Sequence, residues 1–332
     1  MRRIALSLIV LGAMLAMYPQ AACASNARSW VASYGSNGNP CTRTQPCATF
    51  DVAITNTFGG GEINCIDQGE FSPGPIISIT KPITIDCEGV QGRIGAISIS
   101  GVSISVGPTE TVVLRGLDIS GFTGGDFGIA YYAGAALHVE KCIIHDFNSS
   151  GSSFGWGILV APSTDNAVLK VYVSDTSLIN NGTTSSGGGL LVQPNAVVNT
   201  ITKVVLNRVE VRNNFFGIKA DGTVANTSGG VINMTVRDSV SAGNTANGIV
   251  GTSSGNGPAI VMMVDRSASS HNGGYGVIAF GPLTTIRIGN MSIAGNATGA
   301  GTLSGGSVQS FKTNQIKGNS VDGTPLPGIG LD

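Results

Sequence analysis

Two pairs of ionisable residues carry the chemistry that the sequence offers. Lys219 and Asp221 stand two apart in FGIKADG, between apolar neighbours. A carboxylate beside an ammonium can hold or abstract a proton near a sugar ring. His145 and Arg212 form the second pair, a titratable base and a permanent cation able to steady developing negative charge. Tyr132, Gln193 and Phe280, with Lys219 and Asp221 again, offer what carbohydrate binding needs: aromatic faces for stacking and polar groups for hydroxyls. Asp67, Asp86 and Glu88, with Glu70 close by, make an acidic concentration whose oxygens calcium would accept. Solvated carboxylates explain the same residues, so no metal or cofactor is called for.

These groups can act together only if the chain brings them to one surface, and a nine-residue pattern sets how it does so. The pattern runs LRGLDISGF (114–122), VEKCIIHDF (139–147), VSDTSLINN (173–181), LNRVEVRNN (206–214), VRDSVSAGN (236–244), VDRSASSHN (264–272) and IGNMSIAGN (288–296), with a weaker match ending at Asn319. Its recurrence every 24 to 34 residues means a solenoid. A second signature follows most repeats: Gly128-Ile129, Gly157-Ile158, Gly189-Leu190, Gly217-Ile218, Gly248-Ile249 and Gly276-Val277. A leucine-rich repeat fits the nine residues but needs a helix or tight turn with further leucines next. Segments such as FFGIKADGTVANTSGG are rich in Gly and β-branched residues, which disfavours helix. The expected fold is therefore all-β: a single-stranded right-handed parallel β-helix with three short strands per coil.

In that coil Asn181, Asn214, Asn244, Asn272 and Asn296 form a structural ladder, each at a corner where asparagine tolerates left-handed backbone angles and its amide can reach the next. Positions four and six point inward. They include Ser239, Ser241, Ser267 and Ser269, hydroxyl stacks that must find backbone partners and that lack a histidine at a fixed offset for nucleophilic work. Position three gives Lys141, Asp175, Arg208, Asp238 and Arg266, alternating in sign as register control. Outward positions of the Gly-Ile strand carry Tyr132, Gln193, Lys219, Asp221 and Phe280 on one side face, either a binding groove or a face covered by loops.

Residues 1–24 read as a signal peptide: Arg2 and Arg3, an apolar stretch, then Ala22-Cys23-Ala24. A lipidated Cys23 is the rival reading. Residues 25–61 form an N-terminal cap with a cysteine-stapled loop and an amphipathic helix in ATFDVAITNTF (48–58), stopped by Gly59-Gly60-Gly61. The β-helix spans 62–322 and a tail 323–332. Export permits disulfides, and Cys41 with Cys47 and Cys65 with Cys87 are the candidate bridges, the second joining successive coils. Cys142 is left as a small apolar side chain. Lys+Arg 18 against Asp+Glu 19, with 11% charged residues, argue against nucleic acid or an anionic membrane as partner, and no segment after the signal is long and apolar enough to span a bilayer. No feature specifies an oligomer.

The capping stretch ATFDVAITNTFGGGEINCIDQGEF and the corner-asparagine and Gly-Ile repeats from Leu114 to Asn319 resemble the pectin-lyase-like right-handed parallel β-helix superfamily. The resemblance covers nearly all of the exported chain. It implies the fold, with polysaccharide lyases, hydrolases, esterases, tailspikes and adhesins as the range of activities. The Asn-Thr-Asp, Asp-Asp and Gly-His-Gly motifs of its polygalacturonases are absent here. The expected function is an exported, periplasmic or extracellular, non-catalytic protein that binds polysaccharide or a cell-surface glycan along a side face. A polysaccharide lyase or glycoside hydrolase and a structural surface protein are the alternatives.

Overall fold

The computed structural model describes residues 26–72, 76–122, 124–149, 151 and 154–330. The segment read as a signal peptide, with Cys23, lies outside them. Three sheets of eleven, ten and nine strands, each pairing parallel throughout, wind around one core, and a single helix accompanies them among the described residues. We call them the long, corner and Gly-Ile sheets. Successive turns of the chain visit long, corner and Gly-Ile sheet in that order, so strands a full coil apart become neighbours about 4.8 Å distant.

Alternation along each strand fills the interior. Position four (Leu117, Cys142, Thr176, Val209, Ser239, Ser267, Met291) and position six (Ile119, Ile144, Leu178, Val211, Ser241, Ser269, Ile293) are all buried. The inward serines are satisfied locally: Ser239 Oγ donates to the Arg237 carbonyl at 2.7 Å and accepts from Val209 N at 3.0 Å, while Ser241 and Ser269 donate to the carbonyls of Gly248 and Gly276. These hydroxyls are structural. Cys142 is a free, buried thiol, and burial pushes its pKa up to about 12.

The corner amides stack as expected. Each ladder Oδ1 accepts from both the backbone and side-chain amide of the previous member: Asn181 donates to Asn214, Asn214 to Asn244, Asn244 to Asn272, Asn272 to Asn296 and Asn296 to Asn319, with amide distances of 2.8 to 3.2 Å. The left-handed backbone is displaced from where the sequence placed it. It falls on the residue before each ladder member, Asn180, Asn213, Gly243, His271 and Gly295. The amide can then turn into the core while its predecessor reverses the chain. A second left-handed column runs through position three, from Gly116 and Lys141 through Asp175, Arg208, Asp238, Arg266 and Asn290, with φ between 45° and 66°. There, Arg208 grips Asp175 and Arg266 grips Asp238 through two nitrogens each. Lys141 instead pairs with Glu88, and among the described residues Arg208 makes no ion pair with Asp238, so the alternation closes two of its four expected contacts.

At the N-terminal end, helix α1 (Phe50–Asn56) buries Phe50, Ala53 and Ile54 over the open core, with Phe50 edge-on to Phe71 at 5.3 Å. Asn37 Oδ1 accepts from the amides of Ala48 and Thr49 at its start. The helix ends at Asn56, and Gly59-Gly60-Gly61 are already inside strand β2 (Thr57–Cys65), which pairs with β1 (Asn26–Val31). The long sheet thus begins within the segment read as a cap. Cys41–Cys47 and Cys65–Cys87 are bridged. No helix among the described residues is long and apolar enough to cross a membrane.

Candidate functional site

The three outer faces differ in what covers them. On the Gly-Ile sheet the outward residues Ala130, Leu159, Leu191, Val250 and Ile278 are buried, each 7% exposed or less. Phe127, Trp156 and Ala161 join Ala130, Leu159 and Leu191 in a second apolar cluster outside the coil. Trp156 and Phe216 lie parallel, 6.2 Å apart, two rungs from each other. The rung between them carries Gly188, where a Cβ would come within 2.7 Å of the Trp156 ring.

Lys219 and Asp221 are brought together on this face, Nζ to Oδ2 2.7 Å, with Lys219 also 5.2 Å from the Phe216 ring centre. Asp221 accepts from Thr223 N at 2.9 Å and Thr223 Oγ1 at 2.6 Å. Burial raises the Asp221 pKa, but the charge and hydrogen bonds of Lys219 and Thr223 outweigh it and hold the carboxyl below its usual range. The pair is internally neutral. Asp221 and Thr252 face each other across the rungs, as do Thr252 and Phe280, while Tyr132 and Phe280 sit at opposite ends of a column about 24 Å long. Phe280 is exposed and Tyr132 and Gln193 are half-buried.

On the corner sheet His145 is clamped, Nε2 to Asp118 Oδ1 at 2.8 Å and Nδ1 to Asp146 Oδ2 at 2.6 Å. The bond to Asp118 raises its pKa, burial opposes this, and Asp146 adds to the rise, so the imidazolium donates to both carboxylates. Arg93 stands 3.9 Å from Asp118 and 4.0 Å from Glu70. Arg212 lies two rungs above His145, beyond Ile179, and pairs with Glu210 at 3.3 Å. The two are not one site.

The acidic concentration is spent on cations and backbone. Asp86 and Glu140 flank Arg115 in one column, at 2.8 and 2.9 Å. Glu88 meets Lys141, and Asp67 accepts from Ser33 N at 2.8 Å and from its hydroxyl. Among the described residues no group of three or more His, Cys, Asp or Glu is placed to hold a metal.

The long sheet is an open face, as is the corner sheet, where Ile143, Glu210 and Ser292 are exposed. The outward positions of the long sheet from Thr84 and Val113 to Arg287 and Gln309 are half-buried or exposed. On the long-sheet strand Val168–Ser174 the outward residues are Val168, Lys170, Tyr172 and Ser174. His138 faces Tyr172 across one rung, and their rings stack at 4.8 Å and 26°. Tyr172 is 38% exposed. Lys170 faces Lys203 across the next rung. Both lysines are exposed, and among the described residues neither makes an ion pair or a side-chain hydrogen bond. This cluster escaped the sequence reading. Its signal is there: VLKVYVS and ITKVVLN each carry lysine three residues before position one of the repeat.

No protein-family model matches the chain, and no curated protein matches it significantly. Among solved structures it is similar to the pectate lyase Pel9A, at 15% identity over 89% of this chain and 80% of that one, with a TM-score of 0.54. It is also similar to a rhamnogalacturonan lyase, at 14% identity over 90% and 88%, TM-score 0.45. The three parallel sheets and the first likeness show a pectin-lyase-like parallel β-helix.

Proposed function

We propose that the chain is an exported protein that binds an acidic polysaccharide lengthwise along the outer face of the long sheet, without cleaving it. The observation that carries this is the Lys170–Lys203 pair, two ammonium groups in register on an uncovered face beside the exposed Tyr172 ring. Like charges directly opposite on a sheet repel, and a carboxylate or sulfate lying between them turns that repulsion into attraction. A sugar ring stacked on the free side of Tyr172, whose other side is backed by His138, would sit over Val205 on the rung that carries Lys203. The polysaccharide lyases among similar folds make such a partner reasonable, and two disulfides support an oxidising compartment. The Gly-Ile face, where Tyr132, Gln193, Lys219, Asp221 and Phe280 lie, contributes at its exposed margin, since its centre is filled by its own apolar side chains.

Affinity electrophoresis of the exported chain through polygalacturonate and through a neutral glucan tests the reading. Retardation by the polyanion alone, relieved by salt and by Lys170→Ala with Lys203→Ala, is expected; each lysine is worth about 1 kcal/mol, roughly fivefold in affinity. Equal retardation by the neutral glucan would remove the anionic part. Unsaturated or reducing ends appearing on incubation would make the chain an enzyme.

A further inference from the structure

Where the Gly-Ile sheet turns into the long sheet, a cavity of about 410 Å³ opens, and nothing described above occupies it. Pro108, Ala133 and Val168 give it apolar walls, Tyr132 an aromatic one, and Thr164 and Asn166 polar atoms; no charged side chain lines it. A mostly apolar cleft of that volume with a few polar groups is the usual form of a small-ligand site. Val168 belongs to the outward row that continues through Lys170 and Tyr172, so the cavity opens onto the long sheet's open face, and alternate residues of a strand lie about 7 Å apart.

Behind one of its walls stands an unexplained group. Tyr131 is fully buried and among the described residues its hydroxyl has no hydrogen-bond partner. That hydroxyl lies directly behind Gly134, a lining residue, where an added Cβ would stand 2.7 Å from it. Gly134 also has φ +144°, so a side chain is excluded there twice over. A buried phenol without a partner costs stability unless a ligand or water completes it.

We propose that the cavity receives a planar aromatic ring carried about 7 Å from a negative charge, the ring against Tyr132 and the charge beside Lys170 and Lys203. Two sources share that chemistry: a free hydroxycinnamate-type acid, and an aromatic acyl ester decorating an acidic glycan. The second rests on the glycan reading above. Absence of charged side chains among the described lining residues selects a neutral ring.

Calorimetric titration of the exported chain with 4-hydroxycinnamate, its neutral methyl ester and oligogalacturonate provides the test. The acid is expected to bind. Val168→Trp, at a position 43% exposed and therefore outside the core, fills the cavity. It should weaken the acid about tenfold or more and leave oligogalacturonate unchanged. Lys170→Ala with Lys203→Ala should weaken the acid and leave the methyl ester unchanged. Tighter binding of a hydroxycinnamoylated oligogalacturonate than of either part assigns the glycan source; no gain assigns the free acid. Failure of the acid to bind, or binding indifferent to Val168→Trp, overturns the proposal. Loss of oligogalacturonate binding with the acid retained sinks the glycan reading alone.

Discussion

Lys170 and Lys203 face each other on a sheet whose other facing charges alternate: Asp86, Arg115 and Glu140 in one column, Arg237 and Asp265 in another. The exception has a price in stability that a single substitution can show. Lys170→Gln should raise thermal stability slightly, by about 0.2–1 kcal/mol, while weakening retention by polygalacturonate. Thermal unfolding at low and high salt checks it; the gain should vanish as screening removes the repulsion. A drop in stability would mean that the lysine is structurally bound.

His145 makes a pH argument at the same scale. Its folded pKa is raised by Asp118 and Asp146 against an opposing burial effect, so the charged form is favoured by folding. The stabilisation is fully present below the unfolded value near 6.5 and is lost as pH rises through the higher folded value. Urea midpoints across that window should fall for the parent chain and less steeply for His145→Gln. Parallel profiles would show that the clamp does not couple to folding. The clamp was hidden in the sequence because Asp118 and His145 are 27 residues apart, and only the rung register makes them neighbours.

At the scale of the element, the corner ladder was readable because one side-chain type recurs at one place in every coil. The cost of breaking it follows from its bonding. Asn244→Ala deprives the backbone and side-chain amides of Asn214 of their shared acceptor and removes the side-chain donor to Asn272 Oδ1, leaving it the backbone amide of residue 244. With each stranded buried group costing about 1–3 kcal/mol, the loss should be several kcal/mol, measured by denaturant unfolding. A loss under about 1 kcal/mol would mean that water replaces the amide.

The left-handed column at position three was unreadable, because Lys, Asp and Arg occupy its five middle members and Gly116 and Asn290 stand only at its ends. Gly116 shows the requirement plainly: a Cβ there would lie 2.5 Å from the Glu88 amide nitrogen, at φ 66°. Gly116→Ala should cost more than the usual left-handed penalty of about 1 kcal/mol, whereas Asp175 tolerates a side chain at φ 51°. Which outer faces are open was also unreadable. The Gly-Ile strands carry mostly apolar outward residues and the long strands more polar ones, but it takes the packing of Phe127, Trp156 and Leu191 to show that the first set is covered.

Over the whole molecule the coils contact their neighbours and little else, so stability should be graded along the axis and not shared by the entire chain. The first coils depart most from the repeat. They are held instead by α1 over the core end, by the Arg115 column and by Cys65–Cys87 across two successive rungs. Removing that bridge with Cys65→Ser and Cys87→Ser reopens a loop of about two dozen residues in the unfolded chain, worth roughly 3 kcal/mol. In a globular core the loss would appear everywhere. Here hydrogen exchange should quicken in residues 26–120 and stay unchanged in the strands from Val231 to Ala294, where the ladder and serine columns carry the packing. Uniform acceleration along the chain would show a single cooperative unit and remove the nearest-neighbour description of this fold.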